Sequence, residues 1–498
     1  MIGSGARRDA RRGRGGMTYQ DFDLLIERTA VGHRATVLRS PAGQASVDVS
    51  FPFSETSLEN VLLRLGRPRR SRTRRVESSE MRTAKAFGSA LFDAIFSGPV
   101  AECLRASAAA VRRREGLRIR LRLADPTLHD IPWELLYNPA VNRFLALSVQ
   151  TPVVRYMELP ETVGPLAVDG PMRALVIIAS PSDFPALDTA VEWRHLTAAL
   201  ADLSQGGVVE IDRLDDASLP ELQRRLRRTE YHILHFIGHG EFDPALQEGV
   251  LILEGEHQRG HRVGSQYLGM LLHDHPSLRV AILNACEGAR TSRLDPFAGS
   301  AQALVQQGIP AVIAMQFEIA DDVAQVLAHE LYGALADGYP IDAALTEARK
   351  AIFSTGRDVE WATPVLYLRA PDGRIFAVSR TADAAAVTSE AQAAAVPAAV
   401  EAETPSGRGR ESADLVRAAE RALAHGRFEE AHALLERARA LNPRATKLRE
   451  LADVADQQRA VAAVRARLRG ARRDASTPGD AAGSRDGRPH DEEDLLED

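Results

Sequence analysis

Only two cysteines, Cys103 and Cys286, occur in 498 residues. That scarcity excludes a disulfide framework, leaves too few thiolates for a cysteine zinc site, and points to a reducing, cytoplasmic setting. Long apolar runs are missing too. No stretch approaches the roughly 18 residues that a membrane span needs. Residues 1–16 are rich in Arg and Gly without an apolar core, unlike a secretory leader, and Met17 just after them is an alternative start. Nor is there a strong excess of one charge. A formal net charge of −6 argues against a chain whose main work is gripping nucleic acid or an anionic membrane.

A soluble, globular composition is present instead, with 45% hydrophobic and 26% charged residues. The length predicts two or three structural units. Residues 18–60 alternate apolar and polar positions at 34–38 and 45–51, with Pro-Ala-Gly between them, which is hairpin chemistry. The Arg-rich stretch at 64–75 reads as a solvated loop rather than a nucleic-acid contact, because no aromatics are interleaved. Helical periodicity marks 81–96 and 100–113. Leu117, Ile119, Leu121 and Leu123 alternate with Arg118, Arg120 and Arg122, which predicts a strand with one wet face.

From about residue 172, short apolar runs alternate with amphipathic helices. The runs are 174–179, 208–214, 233–237, 280–283, 311–315 and 365–368. Such a pattern specifies a mostly parallel sheet with helices on both faces. Residues 250–253 suit a small inserted hairpin, and Ser218 with Glu221 suits a capping box. The expected organisation is a disordered Arg/Gly-rich N-terminus (1–17), a hairpin region with a basic loop (18–79), the α/β domain (80–378), an Ala-rich linker (379–412), a helical hairpin (413–468) and a disordered acidic tail (469–498).

Two segments carry candidate chemistry. Tyr231-His-Ile-Leu-His-Phe-Ile-Gly-His-Gly240 is an apolar strand running into Gly-His-Gly, and Val280-Ala-Ile-Leu-Asn-Ala-Cys-Glu-Gly288 is one running into Cys-Glu-Gly. Each sets a polar residue past the carboxyl end of a parallel strand, where open α/β sheets present ligand and catalytic groups. Glycines there permit sharp turns and close backbone approach. Taken singly, Cys286 is equally a small core residue and His239 a satisfied turn residue. Taken together they form a base and a nucleophile, with the N–H groups of Gly240 and Cys286 available to an oxyanion. His232 and His235 are spaced by three on a strand and face opposite ways, so a zinc site with His239 is disfavoured. Ala179-Ser-Pro-Ser-Asp183 stands where a phosphate-binding protein would carry a Gly-rich loop, and no cofactor is expected.

These two segments resemble the His and Cys motifs of the CHAT family, caspase- and separase-like peptidase domains of clan CD. Ile131-Pro-Trp-Glu-Leu-Leu-Tyr137, Val153-Val-Arg-Tyr156, Gly308-Ile-Pro-Ala-Val-Ile313, residues 343–349 and Trp361-Ala-Thr-Pro-Val-Leu-Tyr367 fall in the order that family has. The 47-residue step from His239 to Cys286 also matches the caspase-type spacing of about 50. The resemblance implies a caspase-like fold, His239 as base, Cys286 as nucleophile, and Gly240 with Cys286 as oxyanion hole. It sets Asp183 and Asn284 at the walls of the substrate pocket. Related peptidases with an acidic residue before the nucleophile cut after Arg or Lys, and neutral Asn284 departs from that pattern. Asp183 is equally suited to a turn. A protein or peptide substrate follows from the resemblance, in regulated signalling, defence or cell death; a catalytically silent scaffold is the alternative. Trp133, Trp361 and Tyr367 read as core. Ala418, Ala422, Gly426, Phe428, Ala431, Leu434, Leu435, Ala438 and Pro443 resemble one tetratricopeptide repeat, or a plain helical hairpin, and would suit an activating protein partner.

Overall fold

The computed structural model describes residues 17–65, 78–112, 115–243, 245, 248–290 and 296–378, with scattered positions between 415 and 438. The chain opens with β1 (Thr18–Thr29), β2 (Gly32–Arg39) and β3 (Ala45–Val49), then α1 (Glu55–Leu65), α2 (Ser79–Ile95) and α3 (Gly98–Ala110). β4 (Glu115–Leu123), the short β5 (Tyr137–Asn138) and β6 (Arg143–Phe144), β7 (Val153–Tyr156) and β8 (Leu166–Val168) follow. Next come β9 (Met172–Ile178), α4 (Thr189–Ala199), α5 (Ala201–Gln205), β10 (Val209–Arg213), α6 (Leu219–Arg228) and β11 (Ile233–Asp243). β12 (Glu248–Glu254), β13 (Gly260–Gly264), α7 (Ser265–His273), β14 (Val280–Arg290), α8 (Pro296–Gln306) and β15 (Ala311–Met315) continue the alternation. The unit ends with α9 (Asp321–Ala336), α10 (Ile341–Ser354), β16 (Pro364–Leu368) and β17 (Phe376–Val378).

One large sheet runs β10-β9-β11-β14-β15-β16-β7-β4-β1-β2-β3, with β12 pairing β11 and β13 at its side. The strands from β10 to β15 are mutually parallel, and β16, β7, β4 and β1 are mutually parallel. The two sets meet antiparallel at β15 and β16. The expected mostly parallel α/β sheet is therefore present, and the hairpin read at 250–253 lies in β12 beside β11. β1 to β3 extend the same sheet through β1 and β4.

Burial on both faces explains the apolar strand sequences. Ile233, Ile237, Ile282 and Ile313 join one core with Leu196, Leu331, Leu345, Trp133 and Trp361. Their neighbours Leu234, Phe236, Leu283 and Val312 join the other with Leu222, Leu268, Leu304 and Tyr367. Truncating one such residue to Ala costs about 2–5 kcal/mol. Trp133, Trp361 and Tyr367 are core, as expected.

The wet face expected for β4 does not exist. Arg118 and Arg120 are 1% and 2% exposed. The parallel register sets Asp21 beside Arg118 and Asp23 beside Arg120, so an acidic row on β1 meets a basic row on β4. Arg118 Nε donates to Asp342 Oδ2 at 2.6 Å, and Arg120 Nη1 donates to Asp21 Oδ2 at 2.8 Å. Arg120 Nε sits 2.9 Å from Asp23 Oδ1, and its guanidinium lies 3.3 Å from the centre of the Tyr156 ring. Burial pulls the Arg118 guanidinium down, but the charges of Asp342 and Asp21 outweigh it and leave the group above its ordinary value. The alternation signalled a strand correctly and its solvent wrongly, because the neutralising row lies 97 residues away in sequence for the pair of Arg118 and Asp21.

The capping box at Ser218 is also absent: α6 starts there, but the Ser218 side chain makes no cap bond. In the second compact unit, residues 392–498, the described positions 415, 418, 419, 422, 433–435, 437 and 438 are helical. Ala419, Ala422, Leu435 and Ala438 are buried there. The linker, the tail, the N-terminal 16 residues, most of the Arg-rich stretch, and Gly426, Phe428, Ala431 and Pro443 lie outside the described residues.

Removing one member of a buried ion pair strands its partner. Asp342→Ala is therefore expected to cost about 3–5 kcal/mol. Asp48→Ala, which breaks an exposed pair with Arg34, should cost under about 1 kcal/mol. Urea unfolding of the two variants checks the contrast, and equal midpoints would remove the structural role assigned to the ladder.

Candidate active site

β11 and β14 are adjacent and parallel, pairing from Ile233 with Val280 to Gly238 with Ala285. His239 follows Gly238 and Cys286 follows Ala285, so each candidate residue comes directly after the last regularly matched pair of two neighbouring strands. The register then breaks: Gly240 is next matched with Arg290, which leaves Cys286 to Ala289 as a bulge. Bulges re-aim side chains beside sites. The backbone of Cys286 lies in β14; its side chain and that of Glu287 lie outside the described residues.

Neither residue sits in a loop. β11 continues through His239 to Asp243, because Gly240 to Asp243 pair antiparallel with Leu251 to Glu248. The two glycines thus serve close approach, not a turn. A Cβ on Gly240 would lie 2.8 Å from the Phe297 ring, and one on Gly238 would lie 2.8 Å from the Phe236 ring and 3.2 Å from the Ala179 carbonyl oxygen.

His239 is 3% exposed. Its Nε2 lies 2.9 Å from the Pro185 carbonyl oxygen. A carbonyl can only accept, so Nε2 carries the proton in the neutral ring and Nδ1 is bare. Nδ1 is buried and has no hydrogen-bond partner among the described residues. The Phe184 ring packs over the imidazole at 5.4 Å between centroids. These two neighbours were not singled out in the sequence; Ser-Asp-Phe-Pro after the first apolar run was the only trace of them.

Asn284 is 6% exposed, in register with Ile237, and its Oδ1 has no partner among the described residues. Asp183 Oδ1 accepts from the Gly260 N–H at 2.6 Å, and Oδ2 lies 3.6 Å from Arg259 Nε. The Gly260 N–H holds its carboxyl below the usual carboxylate range. Burial pushes His235 down to about 4, so it is a neutral core residue, 3.2 Å from the Tyr332 hydroxyl. His232 Nδ1 accepts from the Arg173 N–H. The three histidines do not converge. A cavity of about 540 Å³ lined by Arg122, His129, Tyr156, Glu158, Gln302 and Gln306 lies elsewhere. β4 and β7 run opposite to β14, so that cavity lies at the other end of the sheet from Cys286.

These features define an α/β protein with a His and a Cys where the regular pairing of two adjacent parallel strands ends. Residues 85–369, more than half of the chain, match the model of the CHAT domain, and the chain belongs to that family. Among solved structures it is similar to the separase chain of two Saccharomyces cerevisiae separase–securin complexes. One matches at 11% identity and a TM-score of 0.40, covering 71% of this chain and 30% of that one. The other matches at 12% and 0.31, covering 62% and 20%. It is also similar to a complex of the pro- and mature domains of Porphyromonas gingivalis RgpB at 10% and 0.33, covering 53% and 66%. The chain therefore spans under a third of the separase chains. No curated protein matches.

The loop after β9 leads into an acidic group. Asp188 caps α4, Glu192 lies in its first turn, and Asp321 starts α9 with His195 Nδ1 3.7 Å away. Burial, then the charges of Asp321 and Asp188, push Glu192 up to about 7. A carboxyl raised in the folded state contributes full stability while protonated and loses it as pH climbs from about 4.5 to about 7. Glu192→Gln mimics the protonated form, so it should raise the melting temperature at pH 8 and much less at pH 5. An equal gain at both pH values would refute the assignment.

Proposed function

We propose that the chain is a cysteine endopeptidase that cleaves a protein substrate with a pair formed by Cys286 and His239. The observation that carries this is the committed Nε2 of His239. With its proton held on the Pro185 carbonyl, the ring offers bare, buried Nδ1 as the base, beside the strand position of Cys286. His239 shares strand parity with Ile237, which lines one core. The family membership supports the same reading.

The chemistry balances with these groups alone. The Cys286 thiol passes its proton to His239 Nδ1, and the thiolate attacks the peptide carbonyl carbon. Charge collects on the carbonyl oxygen, where the N–H groups of Gly240 and Cys286 serve as donors. Collapse breaks the C–N bond, the imidazolium gives its proton to the leaving amine, and a thioester remains. Water, losing a proton to Nδ1, attacks the thioester; the C–S bond breaks, the acid is released, and the imidazolium returns the proton to the Cys286 sulfur. Asn284, buried with an acceptor that has no partner among the described residues, serves the wall of the substrate pocket. The C-terminal helices are the site for an activating protein partner.

Incubating wild type, Cys286→Ala and His239→Ala with a diverse peptide library, read by mass spectrometry, tests this. Cys286→Ala should give no products, and His239→Ala should cut about 10²–10⁴ more slowly. Both residues lie in strands, so melting curves must accompany the assay. Identical products from Cys286→Ala and wild type would leave the silent-scaffold reading in its place.

A further inference from the structure

The loop between β9 and α4 touches His239 twice, through the Pro185 carbonyl and the Phe184 ring. What holds that loop is the turn between β12 and β13. The Ser182 N–H donates to the Gln258 carbonyl at 2.8 Å, and Asp183 Oδ1 accepts from the Gly260 N–H at 2.6 Å. Arg262 lies over the Phe184 ring at 5.5 Å and donates to Glu241 at 2.9 Å. Gly260 itself is cut to fit. A Cβ there would lie 2.4 Å from the Phe184 ring, so only glycine lets the ring settle between this turn and the imidazole. The turn is also strained: His257 and Gln258 have φ of 58° and 57°, uncommon for residues with side chains. Such a conformation persists where surrounding contacts enforce it, and here the turn's own Gly255–Arg259 hydrogen bond is joined by the contacts to residues 182–184.

We infer that Asp183 is a positioning residue for His239, acting through the loop that carries Phe184 and Pro185, and not a charge offered to substrate. This rests on the peptidase reading above. The carboxylate works as an acceptor for one backbone N–H, so its negative charge is incidental to the role. Among the described residues its second oxygen meets the side chain of Arg259, 73% exposed, at 3.6 Å. With the loop held, Pro185 keeps the proton on Nε2 and leaves Nδ1 bare for the thiol proton. With the loop released, the ring turns or its tautomer changes, and the thiol loses its nearby base.

Alkylation of Cys286 by iodoacetamide, followed by peptide mapping from pH 5 to 9, reads the thiolate without a known substrate. Asp183→Ala is expected to raise the midpoint of alkylation by about one pH unit and slow the reaction at pH 7 about tenfold. His239→Ala should shift it at least as far in the same direction. Asp183→Asn keeps an acceptor for Gly260 and should stay within about twofold of wild type at every pH. Gly260→Ala leaves Asp183 intact but displaces Phe184, so it should reproduce Asp183→Ala; it decides the matter if melting curves show Asp183→Ala unfolded. Wild-type profiles for both Asp183→Ala and Gly260→Ala would overturn the inference. So would an Asp183→Asn profile equal to that of Asp183→Ala, since charge would then be what matters. A wild-type profile for His239→Ala is a separate result, and it would defeat the peptidase reading itself.

Discussion

A parallel strand covered by helices on both faces has no place for a polar side chain until it runs past its neighbours. That constraint shapes the whole α/β half of this chain. Ile233 to Ile237 and Val280 to Leu283 are apolar apart from His235, which is buried and held neutral. The candidate residues His239 and Cys286 come just after the last regularly matched pair of these strands, and Asn284 one pair before it. The sheet's own burial drives candidate chemistry to one end, and the adjacency of β11 and β14 brings its two parts together.

The β4 ladder shows the other way to satisfy the same constraint. Arg118 and Arg120 are buried mid-strand because β1 carboxylates meet both guanidinium groups, Asp342 of α10 meets that of Arg118, and the Tyr156 ring covers that of Arg120. Such pairs add little over an apolar core, but they tolerate almost no other register. The ladder therefore fixes how β1 lies on β4, and with it how the N-terminal hairpin joins the sheet.

At the candidate site, orientation comes from outside the two motifs. His239 is held by a loop that follows a different strand, and that loop is in turn held by the hairpin that extends β11 itself. Glycines at 238, 240 and 260 mark where rings and backbone pack too closely for a Cβ. The Phe184 ring and the Pro185 carbonyl close over the imidazole, and His239 is 3% exposed.

The sequence by itself determined the parallel α/β core, the helices, the aromatic core residues, and the two strand-end motifs. Those features are local: period, run length and a glycine beside a polar residue are read within a dozen positions. Only the tertiary structure decided that β11 runs on through His239, that Arg118 and Arg120 are dry, and that the Pro185 carbonyl meets the imidazole while Asp183 meets Gly260. Each of those depends on which distant segment lies alongside. Register with β12, β1 and the loop after β9 is set by packing across the sheet, and no spacing within the chain records it.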